Sequence, residues 1–215
     1  DTRGILLYVE SLSDARKFMT AGRIAARSKP VVVIKAGRSA SGAKAAFSHT
    51  GALAGSDLVY DAAFRRAGML RVGDLRELFD AVSTLAAGQI VTGDRLAILT
   101  NGGGAGVMAA DALEARGGRL ADLAPETLER LNACAPAHWS RANPVDILGD
   151  ARAPVYGQAL EALLADPNAD AVLVMNCPTA VGDSTAAADA VIAAIGTARR
   201  HRPVFSAWLG QTAVA

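Results

Sequence analysis

The stretch Lys-Pro-Val-Val-Val-Ile-Lys-Ala-Gly-Arg-Ser, residues 29–39, decides the fold. Its centre, Val31–Lys35, has the length of a strand and is apolar up to its last residue, without polar alternation. Such runs are typical of strands buried on both faces of a parallel sheet. The same pattern predicts four more strands: Ile5–Val9, Leu96–Thr100, Ala171–Asn176 and Val204–Trp208.

Longer stretches with helix-start and helix-stop signals separate these runs. The predicted helices are Ser13–Ser28, Ser56–Ala67, Asp74–Ala87, Gly104–Arg116, Pro125–Cys134, Pro154–Ala165 and Ser184–Arg200. Alternation of strands and helices predicts an α/β fold with right-handed crossovers. A boundary near Gly88–Asp94 predicts two flavodoxin-like lobes with mainly parallel sheets flanked by helices, residues 1–92 and 93–215.

Both ends of the sequence lack an expected element. An apolar run begins at Ile5 with no capping element before it, and the last strand-like run has no closing helix. We therefore expect the first lobe to be N-terminally incomplete and the second to be C-terminally incomplete, as in a segment of a longer protein.

Composition excludes several classes of function. The formal net charge of +1 and the 5% aromatic content disfavour binding of nucleic acid or of an anionic membrane. No segment resembles a signal peptide or a membrane span. The two cysteines have no zinc-ligand spacing and suggest no disulfide framework, so we expect no metal site and a cytoplasmic location.

Active sites of such sheets gather at the carboxyl ends of the strands. That rule selects Glu10 and the segments after Lys35, Thr100 and Asn176. The segment after Lys35, residues 36–55, is predicted as a long loop rich in Gly, Ser, Lys and Arg, a composition that suits an anionic ligand. It fails as a P-loop, because Ala43 follows Gly42 where a lysine is required.

His49 lies in this segment and has two interpretations. An imidazole can attack phosphorus and later release the phosphoryl group, so His49 is a candidate nucleophile. The plainer interpretation is a loop histidine held by hydrogen bonds, and composition alone leaves both open.

The residues around His49 resemble a known motif. Ser48-His49-Thr50-Gly51-Ala52-Leu53-Ala54-Gly55 resembles the phosphohistidine motif of the ADP-forming acetyl-CoA synthetases, which are relatives of succinyl-CoA synthetase. The resemblance extends along the whole chain. It includes Tyr8-Val9-Glu10, Arg16-Lys17-Phe18, residues 29–39, residues 100–106 and Asn143-Pro144-Val145-Asp146.

This resemblance implies an acid–CoA ligase that makes acyl-CoA from a carboxylic acid, CoA and ATP through an acyl phosphate and a phosphohistidine. By position His49 is the phosphoryl carrier of the first lobe, and Glu10 is the carboxylate that orients its ring. The implied phosphate loop comprises Ser48, Thr50 and Gly51, together with a helix N-terminus near Gly149, Asp150 and Ala151. Asp150 would repel phosphate there unless it turned away.

The second lobe resembles the ligase-CoA lobe of the succinyl-CoA synthetase β subunit. The resemblance implies substrate contacts from Asn101, Gly102 and Gly103 and from Pro178, Thr179 and Ala180. Pro178 and Thr179 replace glycines of the family, which puts the backbone contact and the acid specificity in doubt. CoA, ATP and Mg²⁺ would bind mainly to a CoA-binding domain and an ATP-grasp domain, in the same chain or a partner subunit, and we expect an oligomer.

Three alternatives stay open at this point. The chain also resembles the ligase-like, CoA-sensing region of protein lysine acetyltransferases that carry a GNAT domain, although some of these lose the histidine. Gly104-x-Gly106-x-x-Ala109, with Asp122 as a ribose partner, loosely fits the fingerprint of an NAD-binding oxidoreductase. A pure interaction module without a site is the third.

Overall fold

The computed structural model describes residues 2–51, 55–86, 88–89, 91–198 and 202–210, except the side chain of Thr50. The chain divides into two compact units, residues 1–89 (unit 1) and 90–215 (unit 2). Every strand pair in the described ranges is parallel, and helices follow the strands in both units. The predicted α/β class with mainly parallel sheets is confirmed.

Unit 1 is built around one very apolar strand. Its elements are β1 (Ile5–Val9), α1 (Ala15–Ser28), β2 (Val31–Lys35), α2 (Ala40–Thr50), α3 (Asp57–Ala67), β3 (Leu70–Val72) and α4 (Leu75–Ala86). The sheet order is β1-β2-β3, so β2 lies in the middle and all five of its residues are buried. Alternate residues of β2 contact different layers: Val31 and Val33 pack with Phe64 of α3, and Val32 packs with Leu78 of α4.

Helix α2 corrects the prediction of a long loop over residues 36–55. Residues 40–50 are helical, with Ser39 as N-cap and Gly51 as C-cap in the left-handed conformation, at φ 69°. Four alanines in this stretch are strong helix formers. Their small size obscured the apolar period that normally predicts a helix. Residues 52–54 lie outside the described residues.

Unit 2 has the larger sheet. Its elements are β4 (Arg95–Thr100), α5 (Gly103–Glu114), β5 (Arg119–Leu120), α6 (Pro125–Cys134), β6 (Val145–Asp146), α7 (Ala153–Ala165), β7 (Ala171–Asn176), α8 (Ser184–Thr197) and β8 (Val204–Trp208). The strand order is β5-β4-β7-β8, and β6 also pairs with β4. The predicted helical residues 199 and 200 lie outside the described residues, as does Ala87 in unit 1.

Strands β5 and β6 share β4, and a side chain bridges the gap between them. Strand β5 pairs with residues 95–96 of β4, and β6 pairs with residues 99–100. Between them the Asn143 amide accepts from the Ile98 N–H at 2.9 Å. It donates to the carbonyls of Leu96 and Ala121 at 2.8 and 3.0 Å. Asn143 therefore supplies the ladder bonds of an absent strand residue, and no periodic pattern predicts that role.

No helix in the described part of the chain has both the length and the apolar character that crossing a bilayer requires.

Candidate functional site

His49 and Glu10, which are 39 residues apart in sequence, meet in unit 1. Glu10 directly follows β1, and His49 lies in the last turn of α2. The Nδ1 atom of His49 is 3.2 Å from Oε2 of Glu10. The His49 side chain is 78% exposed and the Glu10 side chain 21% exposed. The ring is therefore held on one nitrogen by a carboxylate while most of its surface stays open to solvent.

The hydrogen bond has a chemical consequence for the ring. The carboxylate of Glu10 accepts a hydrogen bond from Nδ1–H and favours the tautomer in which Nε2 carries a lone pair. The carboxylate also stabilises positive charge that develops on the imidazole when Nε2 attacks an electrophile. A cation in the last turn of a helix is further favoured by the helix dipole.

Lys35, the last residue of β2, contacts the main chain of Glu10. It is 2% exposed, and its ammonium donates to the carbonyl of Glu10 at 2.8 Å and to that of Ala36. The ammonium also lies 4.7 Å from the centre of the Tyr60 ring, a cation–π distance. Burial lowers the pKa of Lys35, and the nearby carboxylate of Asp57 opposes that shift.

No role is predicted for Lys35 from the sequence. The signal was nevertheless visible, because Lys35 ends a run that is otherwise apolar and that was predicted to be buried on both faces. Lysine is seldom fully buried, so a charged residue at such a position needs a specific set of partners.

The other predicted phosphate-loop residues of unit 1 surround His49 in sequence. The Ser48 hydroxyl donates to the carbonyl of Lys44 at 3.1 Å, one turn back in α2. Its oxygen can still accept a hydrogen bond. Gly51 is exposed and ends the helix. The main chain of Thr50 is helical, and its side chain lies outside the described residues. Their phosphate-binding role stays a prediction.

In unit 2, Asn101 joins the carboxyl ends of β4 and β7. Its amide donates to the carbonyl of Cys177 at 2.9 Å and accepts from the Cys177 N–H at 2.7 Å. Asn101 is 6% exposed, so the structure uses its side chain as an internal clamp. The predicted contact between Asn101 and a substrate stays a prediction.

Gly102 is the N-cap of α5 and Gly103 its first residue, and each has a side chain close to the position that a Cβ would occupy. A Cβ on Gly102 would lie 2.5 Å from Sγ of Cys177, and one on Gly103 would lie 2.7 Å from Oδ2 of Asp146. Both distances are shorter than van der Waals contact, which explains why glycine stands at these positions. Helix α5 begins at Gly103, and the first N–H groups of a helix have no partner within it.

The two remaining predicted segments of unit 2 also meet. The Thr179 hydroxyl donates to the carbonyl of Gly149 at 2.8 Å and accepts from the Gly182 N–H at 3.0 Å. Pro178 and Ala180 are exposed on either side of Thr179. The structure therefore brings the segments 101–103, 149–151 and 178–180 together beyond the ends of β4 and β7, because a Cβ on Gly149 would approach both Thr179 and the Asn101 carbonyl.

The predicted helix N-terminus near Gly149 begins slightly later in the chain. Helix α7 starts at Ala153, with Arg152 as N-cap. Asp150 is exposed and Ala151 is buried. The phosphate contact predicted for these residues stays a prediction.

Among the described residues, no group of three or more His, Cys, Asp or Glu side chains could hold a metal ion.

Both units match models of protein families. Residues 1–85 match the succinyl-CoA ligase-like flavodoxin domain, and residues 96–215 match the ligase-CoA domain. These matches and the parallel α/β fold define a protein of the succinyl-CoA ligase-like class. They also disfavour the NAD-binding alternative, since the glycine-rich turn after β4 falls inside the ligase-CoA match.

Individual relatives give a more specific comparison than the two domain matches. The chain is 49% identical over 87% of its length to the ADP-forming acetate–CoA ligase I of Archaeoglobus fulgidus, covering 27% of that protein. It is 44% identical over 98% of its length to subunit alpha of the ADP-forming acetate–CoA ligase I of Pyrococcus furiosus, covering 45% of that subunit. The chain thus spans less than half the length of each.

A solved structure agrees with these matches. The dinucleotide-forming acetyl-coenzyme A synthetase 1 of Ca. Korarchaeum cryptofilum, in complex with phosphate and ADP, superposes with a TM-score of 0.90 at 36% identity. The match covers 97% of the present chain and 46% of that one. The chain belongs to the ADP-forming acyl-CoA synthetase family.

Proposed function

We propose that the chain is the phosphohistidine-carrying core of an ADP-forming acyl-CoA synthetase. The observation that carries this proposal is the 3.2 Å contact between Nδ1 of His49 and Oε2 of Glu10, in a pair whose imidazole is largely exposed. Membership of the family supports it, as do the names of the relatives, which are acid–CoA ligases.

The proposed reaction is reversible and has three steps. In the direction of acyl-CoA formation, Nε2 of His49 attacks the terminal phosphorus of ATP, and the bond from phosphorus to the ADP oxygen breaks. A carboxylate oxygen of the acid then attacks the phosphorus, the Nε2–P bond breaks, and an acyl phosphate forms. The thiolate of CoA attacks the acyl carbon, and inorganic phosphate leaves.

Each residue of the pair has a defined part in this sequence. Glu10 holds the proton on Nδ1 and balances the charge of the phosphorylated ring. His49 is exposed enough for a phosphoryl donor to reach it. Unit 1 contains 13 Lys and Arg against 8 Asp and Glu, a net charge of +5, which attracts anionic donors.

The segments 101–103, 149–151 and 178–180 of unit 2 would supply the contacts to the acid or acyl phosphate. The exposed N-terminus of α5 at Gly103 suits an anionic group, since main-chain N–H groups and the helix dipole both favour negative charge there. CoA, ATP and Mg²⁺ would bind mainly to other domains of the longer enzyme or of a partner subunit. The acid itself is a small carboxylic acid, to be identified with an acid panel and ADP release.

Labelling tests the proposal directly. The full-length enzyme is incubated with Mg²⁺ and ATP labelled at the γ-phosphate, and we expect an acid-labile label on His49. The His49→Ala variant should carry none, while the His138→Ala variant, which removes another exposed histidine, should label like the parent. Equal labelling of the His49→Ala variant and the parent would refute the proposal. The sequence of the full-length enzyme also shows whether a GNAT domain follows this chain.

A further inference from the structure

The buried ammonium of Lys35 is the feature that the reaction above leaves unused. Lys35 is 2% exposed, and the described part of the chain shows no salt bridge to it. A charge that is removed from water needs strong local partners. The partners here are two main-chain carbonyls, those of Glu10 and Ala36, and the face of the Tyr60 ring.

Those two carbonyls belong to the segments that leave the sheet beside the candidate site. Lys35 lies opposite Val9 in the β1–β2 ladder, so Glu10 and Ala36 are the first residues beyond the paired region. The Ala36 N–H donates to the carbonyl of Val9 at 2.9 Å and closes the ladder. Beyond this bond, the ammonium of Lys35 is the group that ties the carbonyl of Glu10 to β2.

Glu10 is therefore held at two points. Its carbonyl accepts from Lys35 at 2.8 Å, and its carboxylate lies 3.2 Å from Nδ1 of His49. A side chain keeps a given direction only when the main chain that carries it is fixed. The ammonium of Lys35 is buried and its position is therefore fixed, so it can fix the main chain of Glu10 in turn.

We propose that Lys35 is a positioning residue for the phosphoryl carrier: its ammonium fixes the main chain of Glu10 so that the carboxylate keeps the proton of His49 on Nδ1. This inference rests on the proposed function for its catalytic meaning. Its direct observable, the tautomer of His49, exists whether or not the ring is ever phosphorylated. Among the described residues, the hydrogen bonds of Lys35 go to the carbonyls of Glu10 and Ala36 and none goes to His49, so Lys35 acts on the imidazole through Glu10.

The test measures the tautomer by NMR of the full chain with ¹⁵N-labelled histidine, at a pH where the imidazoles are neutral. The chain has three histidines, so a spectrum of the His49→Ala variant assigns the signal. In the parent we expect Nδ1 of His49 to carry the proton. In the Lys35→Met variant the ratio of Nδ1–H to Nε2–H should fall about fivefold, the effect of losing roughly one net hydrogen bond.

Two further variants guard against a merely structural explanation. Lys17→Met removes an exposed lysine that bonds to Asp14 and should leave the tautomer of His49 unchanged. If Lys35→Met does not fold, Tyr60→Leu serves instead. It removes the ring beneath the ammonium and should shift the ratio in the same direction by a smaller factor, whereas Tyr60→Phe keeps the ring and should not.

A double variant decides whether Lys35 acts through Glu10. In the Glu10→Ala background, Lys35→Met should cause no further change in the tautomer ratio, because the side chain that it positions is absent. An unchanged ratio in the single Lys35→Met variant overturns the proposal. A shift of equal size in both backgrounds also overturns it, since Lys35 would then act by another route.

Kinetics of the full-length enzyme connect the tautomer to function. The rate of His49 phosphorylation in the Lys35→Met variant should fall by about 10-fold, less than the effect of a direct acid–base partner. If the parent enzyme acquires no label while Lys35→Met still shifts the tautomer, the proposed function fails and the positioning role stands. If the parent labels and Lys35→Met changes neither tautomer nor rate, the positioning role fails alone.

Discussion

Units 1 and 2 share a parallel α/β plan but treat their polar groups differently. In unit 1 the imidazole of His49 is 78% exposed and has one carboxylate partner. In unit 2 the amides of Asn101 and Asn176 are 6% and 3% exposed and bond within the protein. An exposed group can exchange partners with water at little cost, whereas an orphaned buried group costs about 1–3 kcal/mol. Substitutions should therefore change rates in unit 1 and stability in unit 2.

The cores and charges of the two units differ in the same sense. Among the described residues, the three-stranded sheet of unit 1 separates two small core clusters, while unit 2 has one core cluster of 20 buried residues. Unit 1 has a net charge of +5; unit 2, with 9 Lys and Arg against 13 Asp and Glu, has −4. The positive charge of unit 1 thus favours the approach of anionic ligands to an exposed group, and the larger core of unit 2 favours a rigid structure.

The largest effect is expected on the stability of unit 2, from the substitution of Asn143. Asn143→Ala removes three hydrogen bonds that fill the gap between β5 and β6, and we expect a loss of about 3 kcal/mol of unfolding free energy. Both tryptophans, Trp139 and Trp208, lie in unit 2, so tryptophan fluorescence in urea reports its unfolding. Asn168→Ala, which removes one side-chain hydrogen bond at the surface, should cost less than about 1 kcal/mol. Similar losses in the two variants would contradict the bridging role.

Glu10→Gln should lower the rate of His49 phosphorylation and should not lower the stability of unit 1. The amide keeps the shape of the side chain but removes the charge that balances the phosphorylated ring. We expect phosphorylation of His49 in the full-length enzyme to slow by about 10²-fold. The control Glu129→Gln alters an exposed residue of α6 and should label at the parental rate. An unchanged rate in Glu10→Gln would remove Glu10 from the mechanism.

A smaller loss of stability is expected from Tyr156→Phe. The hydroxyl of this buried tyrosine accepts from Nδ2 of Asn176 at 3.0 Å, so its removal leaves a buried donor without that partner. We expect a loss of about 1.5 kcal/mol in urea unfolding followed by tryptophan fluorescence. Tyr8→Phe, at an exposed tyrosine of unit 1, provides the comparison and should change this transition little. A Tyr156→Phe variant as stable as the parent would show that the network around Asn176 relaxes freely.

The smallest expected effect is a dependence of the stability of unit 2 on acidic pH. Hydrogen bonds from the Arg95 side chain and main chain hold the pKa of Asp170 well below its usual 3.8. A lowered carboxyl pKa stabilises the folded state above the unfolded value, and this contribution is lost as pH falls below about 4. The urea midpoint of unit 2 should therefore be lower in Asp170→Asn than in the parent at pH 7, and this difference should shrink below pH 4. Asp189→Asn, at an exposed position of α8, should show no such convergence; a constant difference for Asp170→Asn would count against the pairing.

Much of the fold could be predicted because its strands are unusually apolar. Ile5–Val9, Val31–Lys35, Ala171–Asn176 and Val204–Trp208 have the predicted bounds, since each run is largely apolar. Burial on both faces holds for β2 and nearly all of β7, whereas β1 exposes Leu6 and Tyr8. Short edge strands such as β5 and β6 were missed, because two residues carry no period. Helix α2 was mistaken for a loop, because alanine-rich helices show little amphipathic contrast.

The candidate site was predictable only in part. A motif resemblance selected His49 and Glu10, and the structure brings their side chains together. Neither a motif nor a period indicated that Asn101 clamps Cys177 or that Thr179 bonds to Gly149. Such bonds join segments far apart in sequence, and one group of each is a main-chain carbonyl or N–H that nearly every residue has.

The sequence by itself determined the α/β class, the five longer strands and the family, because apolar runs and motif spacing can be seen in the order of the residues. Tertiary structure alone decided that Lys35 bonds to the main chain of Glu10 and that Asn143 completes a broken ladder. It also gave the distance and the atoms of the contact between Glu10 and His49 that the family resemblance implied. The physical reason is that a hydrogen bond depends on the distance and direction between two groups, and the folded main chain sets both.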